Sequence, residues 1–171
     1  MIRGFGPIAG HDAKVLILGT LPSEASLRAG EYYAHPHNAF WFIVQRLYGQ
    51  GAGLDYEARK SLLIGAKVAL WDVLHAAERE GSLDSAIAPG SENVNDFVSF
   101  FAWHPGIHTV VFNGAKARDL FQRHILNTSS LPGGLRFVCL PSTSPANARL
   151  SREAKLEQWK AALTEALSVN D

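Results

Sequence analysis

Four short apolar runs constrain this fold most: KVLILG (14–19), KVALWDV (67–73), TVVFNG (109–114) and RFVCLPS (136–142). They are continuous rather than alternating, the pattern of strands covered on both faces, as parallel strands are. Helical periodicity separates them. After Asn38, residues Trp41, Val44, Leu47 and Tyr48 recur at helical spacing until Gly49 stops the pattern. Asn93 and Asp96 are placed to open a helix through Phe97, Phe100 and Phe101. Residues 115–126 read as another, with Ala117, Leu120 and Phe121 on one face. Ser151 can cap a last helix whose stripe is Leu156, Trp159, Leu163 and Leu167. This alternation predicts an α/β fold, a three-layer α/β/α sandwich around a central four-stranded, mostly parallel sheet. With 171 residues, 47% of them hydrophobic, the chain suits a single domain over 1–171 with an ample core. Segments 49–56 and 79–95, rich in Gly, Ser, Asn and acidic residues, read as surface connections.

Several function classes are disfavoured at once. Lysine plus arginine and aspartate plus glutamate number 16 each, so bulk attraction to DNA or membranes is not expected, though a local basic face remains open. The single cysteine, Cys139, excludes an internal disulfide framework and any four-cysteine zinc or iron–sulfur site. The N-terminus lacks an apolar signal core and no run has membrane-span length, so a cytoplasmic location and no membrane partner are expected. The glycines make neither a P-loop nor a dinucleotide fingerprint, and no GxSxG elbow or HExxH motif occurs. His35 and His37 stand two apart without a carboxylate cluster, so neither metal nor cofactor is expected.

In parallel sheets ligands gather at the carboxyl ends of the strands. Those ends carry GTLPS (19–23), WDV (71–73), FNG (112–114) and LPSTSPANA (140–148). The segment GEYYAHPHNAFWFIV (30–44) follows the first of them and adds a fifth polar loop to the same rim.

GTLPS followed by YYAHPHNAFW, with LPSTSPANA after the last strand, resembles the uracil-DNA glycosylase superfamily. Within it the chain looks most like the DNA-deoxyinosine (hypoxanthine-DNA) glycosylases, and next like the mismatch-specific uracil-DNA glycosylases. ALWDVLHAAEREGSLDSAI and VVFNGAKARDLF extend the likeness across nearly the whole chain. Two departures stand out: Leu21 occupies the place where mismatch-specific relatives carry an asparagine, and Leu140 replaces the histidine or asparagine that commonly opens the last loop.

The resemblance implies a monofunctional DNA glycosylase, with no lysine in the matched motifs to form a Schiff base. It would hydrolyse the N-glycosidic bond of a deaminated base, most naturally hypoxanthine. The partner implied is double-stranded DNA holding a damaged or mismatched base, met by a monomer near the nucleoid if the cell is prokaryotic. Breaking the bond builds positive charge on the sugar and negative charge on the base, so a held water and aimed donors are what the site must supply. The resemblance gives the water to Asn38 and a stacking ring to Tyr33. The base edge falls to the main chain at Thr20 and Leu21 and to the side chains of Asp72 and Asn113. Ser23, His35, His37, Ser142, Ser144, Asn147 and Arg149 would meet DNA, with Arg152, Lys116 and Arg118 as further flanking cations.

Each role has a plainer rival in the residues themselves. Asn38 suits an N-cap of a helix beginning at Ala39, and Asp72 a cap near Leu74. Asn113 suits a turn before Gly114, while Ser142 and Ser144 can satisfy their own turn. Tyr32 reads as a packing aromatic, and Phe40 and Trp41 as core. Two further functions stay open: a mismatch-specific uracil or thymine glycosylase, and a non-catalytic nucleic-acid-binding module.

Overall fold

The structure is a computed structural model and describes residues 1–50 and 53–169. In chain order come strands β1 (Ile2–Arg3) and β2 (Val15–Gly19), then helices α1 (Glu24–Ala29), α2 (Phe40–Tyr48) and α3 (Tyr56–Gly65). Strands β3 (Val68–Asp72), β4 (Leu74–Ala77) and β5 (Asn93–Val94) follow. Helix α4 (Phe97–Trp103), strand β6 (Thr109–Asn113), helix α5 (Ala115–Phe121), strand β7 (Arg136–Leu140) and helix α6 (Arg152–Leu167) complete the order.

The four apolar runs form one sheet in the order β3-β2-β6-β7, and every neighbouring pair is parallel. Side chains alternate across a strand, so in β2, β3 and β6 a continuous apolar run feeds two cores at once. The run at β7 is not covered on both faces as expected: it is the edge strand, with Arg136, Phe137 and Cys139 exposed. Val15, Ile17, Val68, Leu70 and Val111 face Phe40, Ile43, Leu63, Trp159 and Leu163 from α2, α3 and α6. Leu16, Leu18, Ala69, Trp71, Val110 and Phe112 face Phe97, Phe100, Phe101, Leu120 and Phe121 from α4 and α5. The fold is therefore a three-layer α/β/α sandwich.

A second, three-stranded antiparallel sheet, β1-β4-β5, was not legible as such. It arises because the chain bends after Asp72: Val73 N donates to Gly19 O (2.8 Å) and Leu74 N to Thr20 O (3.2 Å). Leu74 thus opens a strand, and the expected helix cap for Asp72 is overturned, since there is no helix start there. Asn93 likewise lies in β5 rather than opening a helix; Asp96 caps α4 alone, accepting from Ser99 N at 3.0 Å.

Smaller corrections follow the same logic. The helix expected over 115–126 is α5 to Phe121 and then a π-helical turn, Gln122–Leu126. The connection expected over 49–56 ends in the cap Asp55 and the first residue of α3, Tyr56; residues 51 and 52 lie outside the described residues. The connection over 79–95 contains β5 and a 3₁₀ turn, Asp84–Ala86. Ser151 caps α6 as expected, accepting from Ala154 N at 3.1 Å.

Candidate active site

Register sets the floor of the site. Gly19 at the end of β2 pairs with Asp72 at the end of β3, and Asn113 at the end of β6 with Leu140 at the end of β7. The loops beyond these ends wall a cavity of about 390 Å³, within the range that holds small ligands. Gly19 is required by close approach: a Cβ there would stand 2.6 Å from both Asp72 Oδ1 and Tyr33 Oη.

Tyr33 reaches the cavity by a left-handed backbone, φ +53°, which a bulky residue adopts only when its surroundings hold it there. Both neighbours are clamped. Trp41 Nε1 donates to Tyr32 O (2.6 Å), Tyr32 N to Tyr56 Oη (3.0 Å) and Tyr32 Oη to Gly6 O (2.7 Å). Ala34 N donates to Ser26 Oγ at 3.1 Å. The Tyr33 ring rests on Phe40, centroids 4.3 Å apart, and its hydroxyl is buried without a hydrogen-bond partner. Burial first, and then the charge of Asp72, push this phenol up against the opposing pull of the nearby Asn113 amide, so it stays neutral.

Asn38 also lines the cavity. Helix α2 starts one residue later than expected, at Phe40 with Ala39 in the cap position, so Asn38 is not the N-cap proper. Its Oδ1 still accepts from Phe40 N at 2.9 Å, and Asn38 N donates to His35 O at 2.9 Å. The amide is therefore locked in direction while one carbonyl lone pair stays open.

Asp72 is 4% exposed, and Asn95 Nδ2 holds its main-chain oxygen at 2.7 Å. Desolvation, helped by the nearby charge of Asp84 and opposed by Arg79, pushes its carboxyl up to about 7. Asp84 was missed in the sequence because it sits mid-segment among polar residues. Arg79 brings its turn inward: Nη2 donates to Pro22 O (2.6 Å) and Nε to Gly81 O (2.8 Å). Burial raises the Asp84 carboxyl too, while the Thr20 hydroxyl, Arg79 and Lys116 pull it back.

The last loop is pinned by Thr143, a fully buried residue that nothing in LPSTSPANA marks out from its serine neighbours. Asn113 Nδ2 donates to Thr143 Oγ1 and Thr143 N to Asn113 Oδ1, each at 2.9 Å, so Asn113 is more than a turn residue. Thr143 O accepts from Ala39 N at 3.0 Å, tying this loop to the start of α2. Ser142 and Ser144 each accept from the backbone two residues on, as their plainer reading has it, and both still border the cavity. Asn147 Nδ2 donates to Ser142 O at 3.1 Å.

Of the expected site residues, Thr20, Leu21, Ser23, Tyr33, Asn38, Asp72, Asn113, Ser142, Ser144 and Asn147 are gathered in the cavity wall. His35, His37 and Arg149 lie outside it; the two histidine rings are 5.7 Å apart and Arg149 is exposed. Among the flanking cations, Arg152 lies over the Phe42 ring at 3.9 Å and beside Glu153, and Arg118 pairs with Asp119 at 3.0 Å.

The chain itself matches a known family over most of its length. Residues 5–168 match the uracil DNA glycosylase superfamily, and the chain belongs to it. A hypoxanthine DNA glycosylase of Methanosarcina acetivorans is 37% identical over 161 residues, covering 93% of this chain and 96% of that protein. A protein of the same description from Methanosarcina barkeri is 36% identical over 118 residues, covering 68% and 73%. The solution NMR structure of a candidate uracil DNA glycosylase from M. acetivorans superposes with a TM-score of 0.78 at 33% identity, covering 96% of this chain and 97% of that one.

Proposed function

We propose that this protein is a DNA glycosylase that hydrolyses the N-glycosidic bond of hypoxanthine in double-stranded DNA and leaves an abasic site. The observation that carries the reading is the convergence in one cavity of the oriented amide of Asn38, the ring of Tyr33 and the buried carboxyl of Asp72. The relatives described as hypoxanthine DNA glycosylases agree with it.

The base must first leave the duplex, at a cost of a few kcal/mol that is least for a mispaired base. Stacking on Tyr33 returns about 1–3 kcal/mol. Asn38 then holds the attacking water: the Phe40 N–H fixes its carbonyl oxygen, and the second lone pair accepts from the water. An amide is too weak a base to take the proton, so its contribution is orientation and a dipole beneath the developing sugar cation. The main chain at Thr20 and Leu21, with Asp72 and Asn113, meets the base edge. Ser23, Ser142, Ser144 and Asn147 meet the backbone near the cavity, and His35, His37 and Arg149 meet it further out. Among the described residues no lysine lines the cavity, which supports hydrolysis by water rather than a covalent sugar adduct.

Duplexes holding single hypoxanthine, uracil, xanthine or thymine lesions, cleaved with alkali after incubation, test the reading. Strand breaks are expected at hypoxanthine, with no adduct trapped by borohydride. A panel in which only uracil or thymine mismatches break establishes the mismatch-specific reading instead, and a panel with no breaks removes the enzyme altogether.

A further inference from the structure

The floor of the cavity holds a carboxyl group that base reading alone does not explain. Asp72 is 4% exposed, and its Oδ2 is buried without any hydrogen-bond partner. A carboxylate in such a place normally collects donors. Its Oδ1 instead converges with Tyr33 Oη, each 2.6 Å from the point where a Gly19 Cβ would stand. The charged and titratable groups around Asp72 are Tyr32 and Tyr33 from the segment before α2, Asp84 from the 3₁₀ turn and Arg79 from the chain after β4. Arg79 is set against Asp84, burial tips the balance, and the carboxyl is pushed up to about 7. Burial therefore favours the protonated carboxylic acid at the floor of the cavity.

We propose that Asp72 is the general acid of the reaction, passing its carboxyl proton to N7 of the departing hypoxanthine as the glycosidic bond breaks. The proposal rests on the reading of the cavity as the pocket for a hypoxanthine flipped out of DNA. The C1′–N9 bond breaks and its electron pair stays on the base. The Asp72 O–H bond breaks as N7–H forms, so the base leaves as its neutral 7H tautomer and Asp72 is left as a carboxylate. The water held at Asn38 adds its oxygen to C1′, and the proton it releases restores the acid through solvent. Uracil and thymine have no imidazole nitrogen, so an acid in this place favours a purine. Asp84 is a positioning residue here, its charge helping to keep the proton on Asp72.

Single-turnover excision from a hypoxanthine duplex between about pH 5 and 9 tests the proposal. The unmodified protein is expected to hold a plateau at low pH and to lose about tenfold in rate per pH unit above about 7. Asp72→Asn keeps a hydrogen-bond donor but has no proton to give. It should lose about 10²–10⁴-fold at low pH and show no descending limb, while duplex affinity and melting persist. Asp84→Asn should move the limb to lower pH. An Asp72→Asn protein that binds duplex and retains the rate or the limb overturns the proposal. Should that variant fail to fold, carbon-13 titration of the Asp72 carboxyl in the unmodified protein decides: a midpoint near 7 supports the acid, and an ordinary aspartate midpoint overturns it. Hypoxanthine release that is indifferent to Asp72 removes this inference alone, whereas no release at any pH removes the functional reading with it.

Discussion

The carbonyl oxygen of Asn38 is committed to the Phe40 N–H, and that bond makes its chemistry separable from its structural role. Replacing it with alanine removes both, at a stability cost of about 1 kcal/mol for the lost helix-start bond. If the amide positions water, Asn38→Ala also lowers single-turnover excision of hypoxanthine by roughly 10²–10³, as loss of one preorganised polar group does, while duplex binding persists. Asn38→Asp keeps the acceptor for Phe40 N and should melt like the parent, yet its rate or substrate choice should change. Near-normal excision by the alanine variant would return Asn38 to a purely structural role. In the sequence the two roles were indistinguishable, because an asparagine one residue before a helix can reach its first N–H either way. Tyr33 was legible as a ring near the pocket, but its left-handed backbone was not: that conformation is imposed by Trp41, Tyr56, Gly6 and Ser26, which are scattered along the chain.

Among the elements, those buried on both faces announced themselves. Strands β2, β3 and β6 are buried at every residue, which is why they stood out as unbroken apolar runs. Helix α3 buries only Leu63 and so carried no clear stripe. Strands β1 and β5 are two residues each, too short for any period to register. Asp84 stayed hidden for a related reason: its place in the cavity wall depends on Arg79 joining two turns, which no local pattern encodes. The last loop was legible as part of the cavity rim, whereas its buried pin was not. Thr143→Val keeps the shape of that pin but leaves Asn113 Nδ2 without its acceptor. The variant is expected to lose about 1–3 kcal/mol in denaturant unfolding, with Asn113 Nδ2 left unpaired while its Oδ1 still accepts from the backbone N–H at position 143. An unchanged midpoint would mean that water replaces the hydroxyl.

For the molecule as a whole, the buried carboxyl of Asp72 makes stability depend on pH. Its midpoint is raised from 3.8 to about 7, so across that window the folded protein holds a proton the unfolded chain has released. Stability from this group therefore falls as pH rises, the penalty being complete above about 7. Asp72→Asn removes the penalty. Its stability relative to the parent should be small in acid and grow towards pH 8, to on the order of 4 kcal/mol. Urea midpoints at both ends of the range check the sign; a gap that widens towards acid instead would contradict it. If Asp72 is the proposed acid, this loss of stability above neutral pH goes with that role.

The bond from Ala39 N to Thr143 O couples two stretches of chain a hundred residues apart in sequence. Neither can open without releasing the other, since Thr143 N is held in turn by Asn113. In amide hydrogen exchange the Ala39 and Thr143 protons should accordingly report one shared opening free energy, below that of Ile17 and Val111 in the sheet. A duplex that engages the last loop alone should then slow exchange at Ala39 as well, placing the start of α2 and the last loop in a single cooperative unit.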